Sequence, residues 1–594
     1  MRSAALLATC HLLLATSQAS AQTFARDIAP VVYDACVSCH RNGGPGPFPL
    51  TTYDEVRRRA TQIAQVTRSR FMPPWKVEPG VSHFVGQRLL TDAEIETIDR
   101  WVKIGTPEGE PSALPRLPAF ADGWLLGQPD LVVKPDAPYS LPALDTDAFR
   151  IFAIRIPIKT RTYVTGIEFH PGNARVVHHA NIRIDRTSAT RKLDEADPLP
   201  GYDGLMPRSA EYPDGHFLGW TPGQVAPLVQ PELAWALEPG SDLVVQLHLQ
   251  PSGAVEEVWP QIGLYFTSRI PERTPTILRL GSQGIDIPPG EPRYVIRDSY
   301  VLPVDVQLLA VQPHAHYRAK EIRGTATLPD GSTRLVMHIR DWDFRWQHVY
   351  REQTPIPLPK GTRLAMEYTY DNSPMNVRNP ELPPARVFWG QRSRDEMGDL
   401  WFQLLVSNEA DRARMSAEIN AKMTGEDIVG YETMLKVTPN DPELHDDAAM
   451  LYLGMGFVAN AVRHFQASAA LKPESPAAHF NLGTALAQAG RFEDSVRAFR
   501  QALTLRPDYG LAHGNIGRVL LVKGDINEAL KHFEEAVRLE PTNPQSLLGL
   551  GEALAIRGSY DRAVEMLERA LRLPLPEALA KEIFAKRAEY LKRK

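Results

Sequence analysis

The sequence predicts a multidomain chain that begins with a small helical domain, continues through two β-sandwich domains and ends in an α-solenoid. Its length of 594 residues is enough for about four domains of ~150 residues each. Most of its 51 prolines lie before residue 400, whereas Ala, Leu, Glu and Arg dominate from about residue 440 onward. Because proline disrupts helices, the first two thirds should consist largely of strands and loops, and the last third of helices.

Charge and composition exclude several classes of protein. The 66 Lys and Arg against 71 Asp and Glu leave a net charge of −5 with no basic block, so nucleic acid is not an expected partner. The 43% hydrophobic content is too high for a disordered chain and too low for a polytopic membrane protein. Beyond the N-terminal segment no apolar run is long enough to form a transmembrane segment.

Residues 1–21 read as a signal peptide. Arg2 supplies a positive start, an apolar stretch follows, and Ala19-Ser20-Ala21 forms a small-residue cleavage site. This order is typical of secretory signals. We expect export across the inner membrane into the bacterial periplasm, with a mature chain that starts at Gln22.

The domain at 22–108 carries a motif for covalent haem. Cys36, Cys39 and His40 form C-x-x-C-H, in which the two sulfurs bond to the haem vinyl groups and the histidine becomes an axial iron ligand. A short disulfide beside a surface histidine is the alternative interpretation. Haem attachment agrees better with the context of an exported domain of this size.

The sixth iron ligand is predicted to be Met72, in the sequence Phe-Met-Pro-Pro-Trp, because a thioether ligand suits electron transfer. His83 competes for this role. The segment Leu90–Val102 has a threonine cap and helical apolar spacing, which predicts a terminal helix. Together these features resemble the small monohaem cytochromes c that carry an MPPW box.

A proline-rich linker is expected within 109–144, before two β-sandwich domains at 145–285 and 286–410. Short alternating or β-branched runs recur there between proline and glycine. The predicted strands are Phe149–Ile158, Val176–Ile184, Asp242–Gln250, Tyr294–Val301, Val304–Val311, Thr333–Ile339 and Arg363–Tyr370.

Five histidines in or beside these strands form a metal-like pattern: His178, His179, His248, His314 and His316. An H-x-H pair places both rings on one face of a strand, whereas adjacent histidines share a face only where the strand twists or ends. Imidazole combined with a thioether favours copper. Periodicity alone leaves Met366, Met375 and Met397 open as the thioether.

The order HH, Q-x-H, H-x-H and D-E-M resembles the copper type II, ascorbate-dependent monooxygenases, the family of peptidylglycine α-hydroxylating monooxygenase and dopamine β-monooxygenase. The resemblance implies two copper ions held by two sandwich domains. It implies an electron-transfer copper on His178, His179 and His248. It implies a catalytic copper on His314, His316 and Met397. Gln246, two residues before a copper ligand, also matches the family.

The chain departs from this family in three ways. No cysteine remains for the disulfides that staple the family's domains. Gln312 stands where the peptide-amidating enzymes have an arginine that binds substrate, and Trp401 stands where they have an active-site tyrosine. Oxygen chemistry is still expected, but peptide and catecholamine substrates are in doubt. The histidines His170, His216, His338 and His348 are interpreted as surface or core residues. Support of a metal ligand through a hydrogen bond is the alternative for His170 and His216.

A 34-residue period follows a connector at 411–439. Its proline, glycine, small-residue and bulky positions each recur four times: Pro439, Pro473, Pro507, Pro541; Gly456, Gly490, Gly524, Gly558; Ala461, Ser495, Ala529, Ala563; Phe465, Phe499, Phe533, Leu567. This pattern is typical of tetratricopeptide repeats. It predicts repeats over 440–575, a capping helix over 576–594 and a surface that docks a protein partner. The histidines of this region are interpreted as exposed.

The combined interpretation is a copper-dependent monooxygenase that hydroxylates a C–H bond of an organic substrate with O₂. Electrons would enter through the haem, or from a reductant such as ascorbate, and reach the three-histidine copper before the copper on His314, His316 and Met397. The alternative is an exported haem and copper scaffold for electron transfer or redox sensing, which recruits a partner through its repeats. Oxygen consumption coupled to a hydroxylated product would separate the two.

Overall fold

The computed structural model describes residues 22–42, 44, 46–119, 123–144, 147–204, 206–207, 209–222, 224, 231–390 and 392–593. The predicted signal peptide lies outside these residues. The chain forms two compact units. The first contains the residues up to Leu280 with Arg297–Tyr370 and Asp399–Ser416, and the second contains Gly281–Ile296, Asp371–Gly398 and the chain from Ala417 onward. None of the described helices has the length and apolar character needed to cross a membrane.

The N-terminal region is helical, as predicted. After a π-helical turn at Phe24–Ile28 its helices are α1 (Ala29–Ala35), α2 (Tyr53–Arg58), α3 (Ala60–Arg68) and α4 (Asp92–Lys103). Thr91 caps α4 through a reciprocal capping box with Glu94, which confirms the predicted terminal helix. The apolar faces of these helices meet around Phe24 and Trp101, both at most 1% exposed.

The next part of the first unit contains two sheets that share one core. Its elements are β1 (Leu131–Val133), β2 (Tyr139–Leu141), β3 (Ala148–Arg155), β4 (Thr162–His170), β5 (Val177–Asp185), α5 (Ala189–Ala196), β6 (Ala210–Glu211), β7 (Gly219–Trp220), β8 (Trp235–Leu237), β9 (Asp242–Leu249), β10 (Glu256–Val258) and β11 (Gln261–Thr267). The sheet orders are β1-β11-β4-β8 and β3-β9-β5-β6, with β7 also paired to β5. Ile262 and Phe169 from one sheet pack in the same core as Ile154 and Leu247 from the other. The pairing begins at Leu131, before the predicted start of this domain at residue 145.

A second β-rich part follows, made of two four-stranded sheets and one two-stranded sheet. Its strands are β12 (Thr276–Gly281), β13 (Asp286–Ile287), β14 (Tyr294–Val301), β15 (Val306–Ala315), β16 (Ala319–Thr327), β17 (Thr333–Ile339), β18 (Tyr350–Leu358), β19 (Arg363–Tyr370), β20 (Val387–Phe388) and β21 (Gly398–Val406). The sheet orders are β12-β21-β15-β18 and β14-β19-β16-β17. A Cβ at Gly324 would lie 2.7 Å from Leu400, and the Tyr368 hydroxyl donates to the Asp399 carbonyl at 2.7 Å. These two contacts join the facing sheets.

Several strands of the structure were not predicted from the sequence. The strand β18 contains Pro355 and Pro357, and proline argues against a central strand because it cannot donate a ladder hydrogen bond. The structure places β18 at the edge of its sheet, where missing donors are tolerated. In β16 the charged residues Lys320, Glu321 and Arg323 obscure the alternation that normally indicates a strand.

The last third is helical. Its helices are α6 (Glu409–Val437), α7 (Pro442–Gly454), α8 (Val458–Leu471), α9 (Pro476–Gln488), α10 (Phe492–Leu505), α11 (Gly510–Lys523), α12 (Ile526–Leu539), α13 (Pro544–Ile556), α14 (Tyr560–Leu571) and α15 (Glu577–Arg593). The sequence predicted a connector where the long helix α6 lies. From α7 to α14 the helices form four pairs, and the glycine that turns each pair has a positive φ of 72 to 85°.

Close helix packing explains part of the 34-residue period. A Cβ at Gly483 would lie 2.7 Å from the ring of Phe499, one at Gly517 would lie 3.0 Å from Phe533, and one at Gly551 would lie 3.1 Å from Leu567. Each glycine recurs after 34 residues together with its bulky partner. Only glycine lets the two helices of a repeat approach this closely.

Candidate functional site

A β-bulge brings the adjacent histidines His178 and His179 together. In the pairing of β5 with β9, Val177 lies opposite Leu249 and His179 lies opposite His248, so His178 is the extra residue on β5. A bulge breaks the alternation of side chains and re-aims one of them. Adjacent residues of a regular strand point to opposite faces of the sheet. The bulge is therefore what allows both histidines to reach one site.

The bulge creates a compact cluster of three imidazoles. Ligand atoms of His178, His179 and His248 all lie within 4.8 Å of one another. The ring centroid of His248 is 4.8 Å from that of His178 and 4.9 Å from that of His179. The Nδ1 atoms of His178 and His179 are 3.1 Å apart. Three imidazole nitrogens at such separations suit a single transition-metal ion.

The surroundings of the cluster fit metal binding. Two buried ring nitrogens, Nε2 of His178 and Nδ1 of His248, have no hydrogen-bond partner. The other nitrogen of His248, Nε2, lies 2.9 Å from the carboxylate of Asp147. A carboxylate on the far nitrogen is the usual way to orient a metal-binding histidine. Phe149 stacks on the His248 ring at 4.6 Å and holds it further in place.

Burial favours the neutral form of His178 and His179. Burial, followed by the neighbouring His248, lowers the pKa of His178 to about 4. The same two causes hold the pKa of His179 well below its usual value. Neutral imidazole is the form that binds metals, so neither His178 nor His179 has to lose a proton before an ion is bound at neutral pH.

The pair His314 and His316 lies at the end of β15, with ring centroids 5.3 Å apart and planes at 90°. His316 is 3% exposed. Gln347 accepts a short hydrogen bond at Nδ1 of His314, and burial lowers the pKa of His314. The structure therefore brings the H-x-H pair together as a partly buried imidazole oriented by Gln347 and a buried one.

His179 and His314 line one cleft. The space in it that protein atoms do not fill is about 410 Å³, and this figure includes open solvent. Its lining residues are His179, Ala180, Asn181, Phe217, Leu218, Gly219, Trp220, Thr221, Gln224, Gln312, His314, Gln347 and Val349. Neither lysine, arginine, aspartate nor glutamate occurs among these described residues.

The three candidate methionines lie in different settings. Met366 is 2% exposed within β19, and Met375 is 84% exposed. Met397 is partly buried and belongs to the second compact unit, just before β21. Exposure makes Met375 a poor ligand for a buried ion. Gln246 accepts a hydrogen bond from Asn181 at 3.4 Å, so it holds the amide of a cleft residue.

The C-x-x-C-H segment follows α1. Cys36 and Cys39 are not joined in a disulfide. Nδ1 of His40 lies 3.0 Å from the Phe48 carbonyl, so a proton on Nδ1 is satisfied and Nε2 is left for an iron. Burial lowers the pKa of His40. Of the two candidate sixth ligands, Met72 is partly buried and His83 is exposed.

Sequence reasoning missed several residues around these sites. Asp147, Phe344 and Gln347 carry no metal-binding motif, and only the fold brings them to the histidines. The ring of Phe344 lies 5.4 Å from His178, 5.7 Å from His248 and 5.4 Å from His316, measured between centroids. One buried aromatic ring therefore contacts both histidine groups.

One prediction about the repeats was wrong. The histidines of this region were expected on exposed surface, but His464 is 3% exposed. Its Nδ1 lies 2.9 Å from that of His445, and the same pairing recurs at 3.0 Å between His513 and His532. The rings fill the space between the two helices of a repeat, which helical periodicity alone did not reveal.

Comparison with known proteins identifies the helical end of the chain. The tetratricopeptide repeat family matches residues 447–510 and 515–574, so the predicted repeats are confirmed. No curated protein matches the sequence.

Solved structures with similar folds include MamA, at 22% identity over 31% of this chain and 99% of that chain, with a TM-score of 0.24. A tetratricopeptide protein of Thermus thermophilus has 22% identity over 30% of this chain and 96% of its own, with a TM-score of 0.25. YrrB, a tetratricopeptide protein described as having an unusual peptide-binding site, has 19% identity over 29% of this chain and 87% of its own, with a TM-score of 0.24.

Proposed function

We propose that this chain is an exported copper-dependent monooxygenase that hydroxylates a C–H bond of an organic substrate with O₂ and receives electrons through a covalently attached c-type haem. The observation that carries the proposal is the buried cluster of His178, His179 and His248, whose ligand atoms lie within 4.8 Å of one another. The cleft shared by His179 and His314 supports it further.

The residues fit two copper ions. The first would be held by His178, His179 and His248, with Asp147 fixing the tautomer of His248. The second would be held by His314 and His316, with Met397 as the thioether that the family resemblance supplies. A thioether favours the cuprous state, which is the state that reacts with O₂.

The residues also fit a haem. Cys36 and Cys39 offer two unjoined thiols, and His40 presents Nε2 because its Nδ1 is occupied by the Phe48 carbonyl. Met72 is the preferred sixth ligand, and its thioether would raise the haem potential relative to a second imidazole.

When bound, copper would supply one-electron chemistry and an O₂-binding centre, and haem would supply single electrons. The protein's own residues orient the metal-binding histidines and the polar groups of the cleft. Burial favours the neutral forms of His178, His179 and His314. Asp147 orients His248, Gln347 orients His314, and Gln246 holds the Asn181 amide at the cleft wall. A C–H bond of a substrate seated in this cleft would lie beside His179 and His314.

The lining of the cleft favours a neutral substrate. Phe217 and Trp220 offer apolar surface, while Gln224, Gln312 and Gln347 offer amides. No charged group among the described lining residues would balance a carboxylate or an ammonium, and an unpaired charge is costly to bury. The substrate class is therefore an uncharged organic molecule with one or more hydrogen-bonding groups.

The experiment uses the full chain with haem and copper, ascorbate as reductant, a panel of neutral organic compounds and ¹⁸O₂. We expect one labelled oxygen atom in a hydroxylated product. Met397→His should keep its copper but lose most of the product, while the matched variant Met375→Leu should behave as the wild type. If ascorbate reduces the metals but no labelled product forms from any compound, the chain is an electron-transfer or redox-sensing scaffold that recruits a protein partner through its repeats.

A further inference from the structure

The loop between β17 and β18, residues 340–349, connects the segment that carries the candidate haem ligands with both histidine groups. Tyr350, the first residue of β18, follows this loop directly. All of these residues belong to the first compact unit. Sequence reasoning assigned no role to this loop.

On one side the loop and β18 pack against residues 71–88. The Val85 amide donates to the Arg351 carbonyl at 2.8 Å, and the Gln353 amide donates to the His83 carbonyl at 2.9 Å. Farther along, the Glu78 amide donates to the His338 carbonyl at 2.9 Å. Backbone hydrogen bonds at both ends hold the two segments in register, so the two segments form a specific interface.

Aromatic rings fill the interface. Tyr350 is 1% exposed, and its ring centroid lies 5.2 Å from Trp75 and 5.5 Å from Phe84. On the loop side, His348 lies 6.2 Å from Tyr350. Trp75 stands three residues after Met72 in the sequence, so this row of rings starts in the segment that carries the candidate iron ligand.

A second contact starts at the haem-attachment motif. Arg88 donates to the sulfur of Cys39 at 3.3 Å. Burial, and then the charge of Arg88, lowers the pKa of His348 to about 4. The charge of Arg88 therefore acts on the same histidine that the aromatic row reaches, while its guanidinium contacts an attachment cysteine.

On its other side the loop reaches the histidine groups. Gln347, adjacent to His348 in the chain, holds Nδ1 of His314 through a short hydrogen bond. Phe344 contacts His178, His248 and His316. A series of contacts thus runs from Trp75 and Phe84, in the segment of the candidate sixth haem ligands, to His314.

We propose that residues 344–350 form an internal electron route, which rests on the proposed function and delivers haem electrons to the copper on His314 and His316 first, through Tyr350, His348 and Gln347. The step is a transfer of one electron: ferrous haem iron becomes ferric and cupric copper becomes cuprous. No proton or bond is exchanged. This order differs from that expected from the sequence, in which the three-histidine copper is reduced first. Phe344, between the two histidine groups, connects the second copper to the first.

The test measures reoxidation of the haem by bound copper in the full chain, without O₂ or substrate. The haem is reduced rapidly in the presence of cupric protein, and its absorbance is followed by stopped flow. Gln347→Leu should slow reoxidation by about 10-fold or more, the range found when a partner of a metal-binding histidine is lost. Gln347→Asn, whose amide is shorter, should slow it as well. The control Thr354→Val lies on β18 with an exposed side chain and should keep the wild-type rate.

A fourth variant, Phe344→Leu, decides the order of the coppers. The proposed route predicts that it leaves haem reoxidation unchanged and slows only the later reduction of the three-histidine copper, which copper electron paramagnetic resonance detects. If Phe344→Leu slows haem reoxidation while both Gln347 variants do not, the electron enters at the three-histidine site and the proposed route is wrong. Haem potential and copper content, measured in each variant, show that neither driving force nor metal loss causes the change. A wild-type protein that binds no haem or no copper would overturn the proposed function together with the route.

Discussion

The repeat region and the histidine-bearing β region are organised by contacts of opposite kinds. In the repeats, Gly483 meets Phe499 and Gly517 meets Phe533 across sixteen residues, and the same contact returns between Gly551 and Leu567. In the β region, His178 and His248 meet across seventy residues, and they do so only because β5 bulges at His178. Regular local contacts build a scaffold, whereas an irregular long-range contact builds a site.

The difference explains how much could be predicted from the sequence. The period of the repeats is fixed by the packing of neighbouring helices, so it was predicted and the family comparison confirms it. In the β region the histidine types and their order were visible, and the H-x-H pair followed from strand alternation. The bulge could not be predicted, because the sequence Val-Val-His-His does not indicate where β5 has an extra residue relative to β9. Asp147, Phe344 and Gln347 were missed for the same reason, since they act through tertiary contacts.

The largest expected effect concerns the N-terminal segment. Replacing Cys36 and Cys39 by serine should abolish covalent haem, because a hydroxyl does not form the thioether. Haem staining of the denatured protein measures this, and haem that stays covalently bound in the double variant would contradict the assignment. Met72→Ala should lower the haem potential in redox titration while His83→Ala leaves it unchanged. The reverse outcome would make His83 the sixth ligand.

A second prediction tests whether the irregular site behaves as a metal site. Asp147→Asn should weaken copper binding by about 10 to 100-fold, because the carboxylate orients His248. Competition with a chelator measures the affinity. The control is Glu168→Gln, a carboxylate 3.0 Å from the ring of His170 outside the cluster, which should leave copper affinity unchanged. Equal effects of the two variants would mean that Asp147 acts only on folding.

A third prediction concerns the strand that carries the bulge. Asp185, at the end of β5, is fully buried and accepts four hydrogen bonds from Thr187 and Thr190. Burial raises the pKa of Asp185, but these hydrogen bonds outweigh it and lower the pKa to about 2. The stability that this carboxylate contributes is present above its unfolded pKa and is lost as the pH falls from about 4 towards 2.

Asp185→Asn should therefore lower the free energy of unfolding by about 2 kcal/mol at neutral pH. Hydrogen exchange of the peptide 177–185 measures the local stability. The difference from the wild type should shrink as the pH approaches 2. The exposed residue Asp136 provides the control, since Asp136→Asn should leave exchange unchanged. A difference that persists at low pH would show that the charge of Asp185 is not the cause.

A fourth prediction concerns the close packing of the repeat helices. Gly517→Ala should destabilise the repeats by about 1 to 3 kcal/mol, because the added Cβ meets the ring of Phe533. Gly425→Ala, in the open part of α6, should instead stabilise its helix by up to about 1 kcal/mol. Thermal unfolding, followed by the helical circular-dichroism signal, measures the change in stability of both variants. Haem and copper content should not change in either variant, and a loss of metal in Gly517→Ala would couple the two regions.

The number of copper ions per chain tests the central claim most directly. After copper loading and removal of loosely bound metal, elemental analysis should give about two ions per chain, one for each histidine group. The double variant His178→Ala/His179→Ala should give about one. A matched double variant of the repeats, His513→Ala/His532→Ala, removes two imidazoles whose Nδ1 atoms lie 3.0 Å apart. It should keep the wild-type number of copper ions per chain. If the wild type retains no copper, or if both double variants lose it equally, the histidine cluster of the β-bulge is not a copper site.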